Sequence, residues 1–201
     1  MRLQALCALT GALALSACAI SSGVRLAAIP QAPVAASYIP LHGSAVLGLE
    51  TKDGAATAIG GGVAVTNAHN ANLLAGVPAI GESKDYDLLF FRNARPPVTE
   101  MAEPELGETV SAFGQGADGD LRMAHGVVKT IQTCIGCTAP AYFTFAGDAG
   151  PGFSGGPVLD ASGRLIGITF GYKQEGGSRM IYAYPMNRVR AELFVIHGEA
   201  K

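Results

Sequence analysis

The chain has 201 residues, enough for one domain-sized unit or for two small halves sharing an interface. It carries 14 Lys and Arg against 16 Asp and Glu, a formal charge of −2, and no basic stripe interrupts it, which argues against nucleic acid as a main partner. Hydrophobic residues at 49% allow a sizeable core, while 27 glycines and no tryptophan suit many short strands joined by tight turns.

The N-terminus begins with the short positive Met1-Arg2, then an apolar run from Leu3 to Leu15, then small residues. That order is the order of a secretory signal, and the run is shorter than the roughly 20 residues a membrane span needs. Leu15-Ser16-Ala17-Cys18 resembles the lipobox of bacterial lipoproteins. The resemblance implies a signal peptide over residues 1–17, lipid on Cys18, and attachment to a membrane through that lipid. An ordinary secretory signal cut after Ala17, leaving a free Cys18, is the alternative. Either way the mature chain is expected outside the cytoplasm. Ala19 rather than Asp follows the cysteine, which by resemblance to lipoprotein sorting implies the outer membrane of a bacterial envelope, facing the periplasm or the cell surface. Residues 18–37, rich in Ala, Ser and Pro with little charge, read as a flexible tether.

The next stretch alternates strand and turn signals. Gly43 to Thr51 reads as a strand, Lys52-Asp53-Gly54 as a turn, and Thr57 to Thr66 as the return strand, with a glycine kink at residues 60–62. His69 stands just past the β-branched run Val63-Ala64-Val65-Thr66. Further strands are predicted near Val77–Ile80 and Asp87–Arg92. Of the two acidic residues in Asp85-Tyr86-Asp87, Asp87 directly precedes the apolar Leu88-Leu89-Phe90-Phe91 and is the candidate buried carboxylate, whereas Asp85 reads as a solvated turn residue. Residues 96–105, with paired prolines and three glutamates, read as a linker.

A second run of strands follows at residues 109–114, 123–131, 142–146, 165–172 and 180–184, closed by a helix over 186–196 with Val189, Leu193 and Ile196 on one face. Cys134-Ile135-Gly136-Cys137 reads first as a small disulfide pinning a loop in an oxidising compartment. A zinc site would need two further ligands, and no pair is spaced to supply them, so no metal is expected. A thioredoxin-like role would need a βαβ context that is missing.

The stretch with the most chemical content is Pro151-Gly152-Phe153-Ser154-Gly155-Gly156-Pro157. Glycines here permit dihedrals closed to other residues and let backbone approach closely. A tight turn of this kind holds the Ser154 hydroxyl outward and can aim the N–H groups of Gly152 and Ser154 at one point, an oxyanion hole. A serine nucleophile needs a base, and the base needs an orienting group. His69 and Asp87 lie upstream, so the order is His, Asp, Ser. Gly152 to Gly156 also fits Gly-x-Ser-x-Gly, but there the serine turn opens a helix and the histidine comes later in the chain. Gly155-Gly156-Pro157 would break that helix, and too little chain follows Ser154, so this reading is excluded.

With "VTNAH", "PGFSGGPV" and the Asp87 stretch together, roughly residues 40–195 resemble the trypsin-like serine peptidase family, and within it the bacterial HtrA-type branch. The resemblance implies an all-β, two-barrel chymotrypsin-like fold with a short C-terminal helix. The peptidase domain would occupy residues 38–198: barrel one about 40–97, barrel two about 106–185, closing helix about 186–197. No PDZ-like region is expected after it. The resemblance also implies a serine endopeptidase acting on a protein or peptide, with Ser154 as nucleophile, His69 as base and Asp87 as orienter, and no cofactor. Phe153 stands where the digestive enzymes carry an aspartate, and no Ile-Val-Gly-Gly sequence is present, so activation by N-terminal insertion is not expected. For the pocket ahead of the scissile bond, the family points to Asp148, six positions before Ser154, with a second wall from Thr169 and Gly171. A carboxylate at its base would select Lys or Arg. The HtrA-type relatives instead prefer small apolar residues, with Asp148 a solvated turn residue, and both preferences stay open. A catalytically inactive binding or chaperone-like lipoprotein of the same fold is the other class. Nothing in these residues speaks to oligomeric state.

Overall fold

The computed structural model describes residues 22–29, 32–44, 51–95, 100–116, 118–137 and 139–199. The signal-peptide and Cys18 readings lie outside the described residues. In chain order the strands are β1 (Val24–Arg25), β2 (Tyr38–Ser44), β3 (Thr51–Gly60), β4 (Val63–Thr66), β5 (Ala79–Glu82), β6 (Leu89–Arg92), β7 (Thr109–Gln115), β8 (Leu121–Gln132), β9 (Tyr142–Ala146), β10 (Pro157–Asp160), β11 (Leu165–Glu175) and β12 (Ser178–Pro185). Two helices, α1 (Ala32–Ser37) and α2 (Met186–Glu199), and a short 3-10 helix over Ala68–Leu73 complete the elements.

The first half is a five-stranded sheet in the order β2-β3-β4-β6-β5. The second runs β1-β8-β7-β10-β11-β12-β9, and an added β8–β9 pairing closes six of these strands into a barrel. The architecture is the chymotrypsin-like two-barrel fold expected from the sequence, with its short C-terminal helix. One apolar core runs through both halves and under α2: Val65, Leu88 and Phe90 from the first sheet join Phe113, Leu159 and Ile168 from the second and Val189 and Ile196 from the helix. Two smaller clusters fill the rest of each half. Gln115, fully buried at the end of β7, fastens the halves by donating from Nε2 to the carbonyls of Leu41 (3.0 Å) and Gly54.

Two local expectations are overturned. Lys52-Asp53-Gly54 is not a turn: all three lie inside β3, paired with Gly43, His42 and Leu41 of β2. Gly54 serves close approach instead, since a Cβ there would meet Leu73 Cδ1 at 2.9 Å and Asn70 at 3.0 Å on the 3-10 helix. The strand placed at 43–51 is accordingly divided between β2 and β3, with residues 45–50 outside the described residues. Nor is the whole of 18–37 a free tether. β1 pairs with β8 (Val24 with Met123, Arg25 with Arg122), and α1 buries Val34 and Ser37 completely. Pairing and burial of single residues override what the composition of that stretch suggests. No described helix is long and apolar enough to cross a membrane.

Candidate active site

The fully buried strand β4 ends at Thr66 and hands the chain to Asn67, whose extended backbone starts the 3-10 helix. His69 therefore stands at the rim of the first sheet, its ring 48% exposed. β6 lies beside β4 with Leu89 opposite Thr66, which brings the residues just before β6 back to the same rim. Asp87, not Asp85, faces the histidine: Asp87 Oδ2 is 2.6 Å from His69 Nδ1, and Oδ1 accepts the His69 backbone N–H at 3.0 Å. The carboxylate demands the tautomer with a proton on Nδ1. Burial opposes ionisation of Asp87, but the hydrogen bonds from the His69 ring and backbone, with the nearby ring charge, outweigh it and hold the carboxyl below the ordinary carboxylate value. Asn67, itself fully buried, donates from Nδ2 to the Asp87 carbonyl at 2.9 Å.

The Ser154 turn is tied to both halves through its carbonyls. Ser154 O accepts the Ala55 N–H at 2.9 Å and Asn70 Nδ2 at 3.0 Å, so the residue after His69 touches the residue proposed as nucleophile. Asn70 Nδ2 also reaches Thr66 Oγ1 at 3.1 Å. Thr57 Oγ1 donates to Gly155 O at 2.8 Å. From the second barrel, the Gln115 N–H binds Gly152 O at 2.9 Å, and Thr169 Oγ1 donates to the carbonyls of Phe153 and Gly156. Phe153 is buried, packed in the apolar cluster of the second barrel.

The N–H groups of Phe153, Gly155 and Gly156 bind Gly150 O, Thr169 O and Phe153 O at 3.1, 2.8 and 2.9 Å. Those of Gly152 and Ser154 donate to no acceptor among the described residues. Gly152 takes φ of +87° and Gly155 of +85°, the left-handed region the glycines were expected to supply. Ser154 itself is half-exposed, and its hydroxyl makes no hydrogen bond to His69 among the described residues. Such bonds are often long in substrate-free sites.

Beside Ser154 lies a small depression lined by Ala149, Thr169, Gly171, Tyr172 and Ile181. Thr169 and Gly171, named from the sequence as a second wall, are among these lining residues. Asp148 is not among the lining residues: its Oδ1 pairs with Arg179 Nη1 at 3.1 Å, and its Oδ2 accepts the Gly23 N–H at 3.3 Å. A count of six residues does not foresee that pairing, because the arginine comes from β12, 31 positions later. Cys134 and Cys137, with Cα atoms 5.3 Å apart, are joined in the loop between β8 and β9. Among the described residues no cluster of three His, Cys, Asp or Glu side chains could hold a metal ion. Asn70, Gln115 and Thr169 act on the site through distant carbonyls, and only Thr169 was singled out in the sequence, as a pocket wall.

A serine in a glycine-rich turn, set by a two-barrel scaffold beside a His–Asp pair, defines the class as that of chymotrypsin-fold serine peptidases. The chain belongs to the trypsin-like peptidase domain family, which matches residues 45–168, and so by class to the serine endopeptidases. It is similar to Protease Do-like 1, chloroplastic, of Arabidopsis thaliana, with 32% identity over 124 residues, 55% of this chain. The match spans only 28% of that protein's length. Among solved structures it is similar to the active form of the Rv3671c protease from M. tuberculosis, with TM-score 0.60, 20% identity, and coverage of 81% of this chain and 82% of that one. The HtrA-type protease AlgW with a tripeptide has TM-score 0.63 and 20% identity, with coverage of 83% of this chain and 62% of that one. At such identities the likeness is one of fold.

Proposed function

We propose that the chain hydrolyses peptide bonds through a Ser154-His69-Asp87 triad and an acyl-enzyme intermediate. The observation that carries this reading is the 3-10 helix: His69 engages Asp87 while the next residue, Asn70, holds the Ser154 carbonyl at 3.0 Å. In the reaction His69 Nε2 takes the hydroxyl proton as Ser154 Oγ attacks the carbonyl carbon, and Asp87 stabilises the imidazolium that results. The unpartnered N–H groups of Gly152 and Ser154 receive the oxyanion. His69 then protonates the leaving amine, and water releases the acyl group by the reverse proton path. A fluorophosphonate probe tests this directly: it is expected to label the wild-type chain and not Ser154→Ala. An unlabelled wild type would leave the inactive binding module of the same fold.

For substrates we propose a peptide with a small apolar residue before the scissile bond. Ala149, Ile181 and Thr169 line the depression, and the carboxylate of Asp148 is already neutralised by Arg179. A lysine entering there would lose hydration without a partner. Chromogenic peptides varied at that position should show cleavage after Val or Ala, changed less than about twofold by Asp148→Ala, an exposed surface pair being worth little. Preference for Lys or Arg, lost in Asp148→Ala, would overturn this.

We further propose that Cys18 carries lipid and anchors the enzyme to the outer membrane of a bacterial envelope, supported by Leu15-Ser16-Ala17-Cys18 alone. A palmitate analogue should label the wild-type chain and not Cys18→Ser. An unlabelled, freely soluble wild type outside the cell would exclude the anchor.

A further inference from the structure

Asp87 sits in a turn that the first sheet does little to hold. Residues 83–88 are exposed or half-buried except Ser83 and Leu88, and the turn closes on itself with Ser83 N–H to Leu88 O at 2.9 Å and Leu88 N–H to Tyr86 O at 2.8 Å. Besides the Asn67 and His69 contacts to Asp87 itself, it is fastened from the other half of the molecule. Ser83 Oγ accepts the N–H groups of Asp85 and Tyr86, at 3.3 and 3.1 Å, and donates to Glu192 Oε2 of α2 at 2.8 Å. Glu192 Oε1 pairs with Arg188 Nη1 at 3.3 Å, one turn earlier on the same helix. Both side chains are about nine-tenths buried, at 8% and 10% exposure.

The Arg188 guanidinium has further attachments, one of them from Nη2 to Cys134 Sγ at 3.9 Å. Its Nη2 donates to Ala139 O at 2.7 Å and its Nε to Pro140 O at 3.3 Å, in the loop that follows the Cys134–Cys137 bridge. Its plane also covers the Tyr86 ring, with 4.6 Å from Cζ to the ring centroid. On its other contact, Tyr86 meets Tyr184 edge-on at 5.6 Å, and the Tyr184 hydroxyl accepts the backbone N–H of Asp87 at 3.2 Å. Two residues that lead into Asp87, Ser83 and Tyr86, are thus tied to one buried arginine of the closing helix.

We propose that Arg188, acting through Glu192 and Tyr86, is a positioning residue for Asp87, so that the His69–Asp87 geometry depends on how α2 docks against the 83–88 turn. An arginine suits the task because a rigid fork of donors can meet two carbonyls and a carboxylate while its face stacks on a ring; a lysine ammonium cannot do both. This rests on the triad proposed above, and the test separates the two. Arg188→Met, Arg188→Lys and Ser83→Ala are compared with Arg95→Met, which removes a different, half-buried anchorage, from Nη1 to Tyr38 O at 2.6 Å and Ala35 O at 3.1 Å. The readouts are kcat, KM, the rate of fluorophosphonate labelling, and the low-field proton resonance of His69 Nδ1–H in a Ser154→Ala background.

Arg188→Met should lower kcat and labelling rate about tenfold with KM unchanged, Ser83→Ala should lower them less, and both should broaden or shift the low-field resonance. Arg188→Lys should recover little. Arg95→Met should lower the melting temperature with kcat and the resonance intact. If Arg188→Met does not fold, Ser83→Ala carries the same prediction through the Glu192 contact. Variants that melt earlier yet keep wild-type kcat and an unmoved resonance would overturn the proposal and leave Arg188 a purely structural residue. A wild type that the probe does not label would overturn the triad, while the resonance would still decide whether Arg188 orients Asp87.

Discussion

Ser154→Ala and His69→Ala should each lower kcat by on the order of 10⁶, Asp87→Asn by on the order of 10⁴, and the double and triple variants by no more than the worst single change. The losses should not add, because proton transfer, attack and stabilisation of the imidazolium are one event. Once His69 is gone, a correctly held Asp87 has nothing to orient. KM should move little, since none of the three lines the apolar depression except Ser154. Steady-state kinetics on a peptide ending in Val or Ala before the chromophore measures this; near wild-type turnover in His69→Ala would refute the assignment. Asp87→Asn carries a second signature. Because the hydrogen bonds from His69 hold the folded-state pKa of Asp87 below its unfolded value, the ionised carboxyl adds stability that is fully present above the ordinary carboxylate range and is lost as pH falls through the folded value. The melting-temperature gap between wild type and Asp87→Asn should therefore hold above the ordinary carboxylate range and narrow as the pH falls through and below it.

What the sequence shows of the fold follows from the range of the forces involved. The apolar runs of β4 and β6 and the glycine signals around Ser154 are local, and they marked strands and candidate residues; the fold came from the resemblance that these motifs carry to the trypsin-like peptidases. Asp87 was separable from Asp85 because only one of them abuts the apolar strand that must turn inward. Asp53-Gly54 misled because turn chemistry is a local preference, and pairing with His42 and Leu41 across seven residues of β2 outweighs it. The pairing of Asp148 with Arg179 was hidden for the same reason, since no spacing rule places the arginine beside it. Asn70, Gln115 and Arg188 were invisible because each acts on backbone carbonyls 48 to 84 residues away, contacts that leave no periodicity behind.

Gly155→Ala should unfold or inactivate the protein where Gly176→Ala should not. Gly155 has φ of +85°, a conformation that costs a residue with a side chain about 1–2 kcal/mol. Space is the larger obstacle, since a Cβ there would fall inside van der Waals contact of Ala55 O and Thr66 Oγ1. Neither atom can easily give way. Ala55 O is held by Thr66 Oγ1 at 2.6 Å, the Ala55 N–H holds Ser154 O at 2.9 Å, and Gly155 itself binds Thr169 O through its N–H at 2.8 Å. Forcing extra volume into packed surroundings costs about 1–3 kcal/mol more. The sum, about 2–5 kcal/mol, is a large part of the 5–15 kcal/mol that holds a typical domain together. Gly176 is the control: its φ of +53° carries the conformational cost, but nothing lies within 4 Å of an added Cβ. Denaturant titration should show Gly155→Ala losing at least twice the stability that Gly176→Ala loses. Fluorophosphonate labelling should also fail in Gly155→Ala at temperatures where it stays folded, because the strand and the turn that share Ala55 and Ser154 cannot separate without moving the hydroxyl. Equal losses in the two variants, with labelling intact in both, would mean that the Ser154 turn is looser than its hydrogen bonds imply.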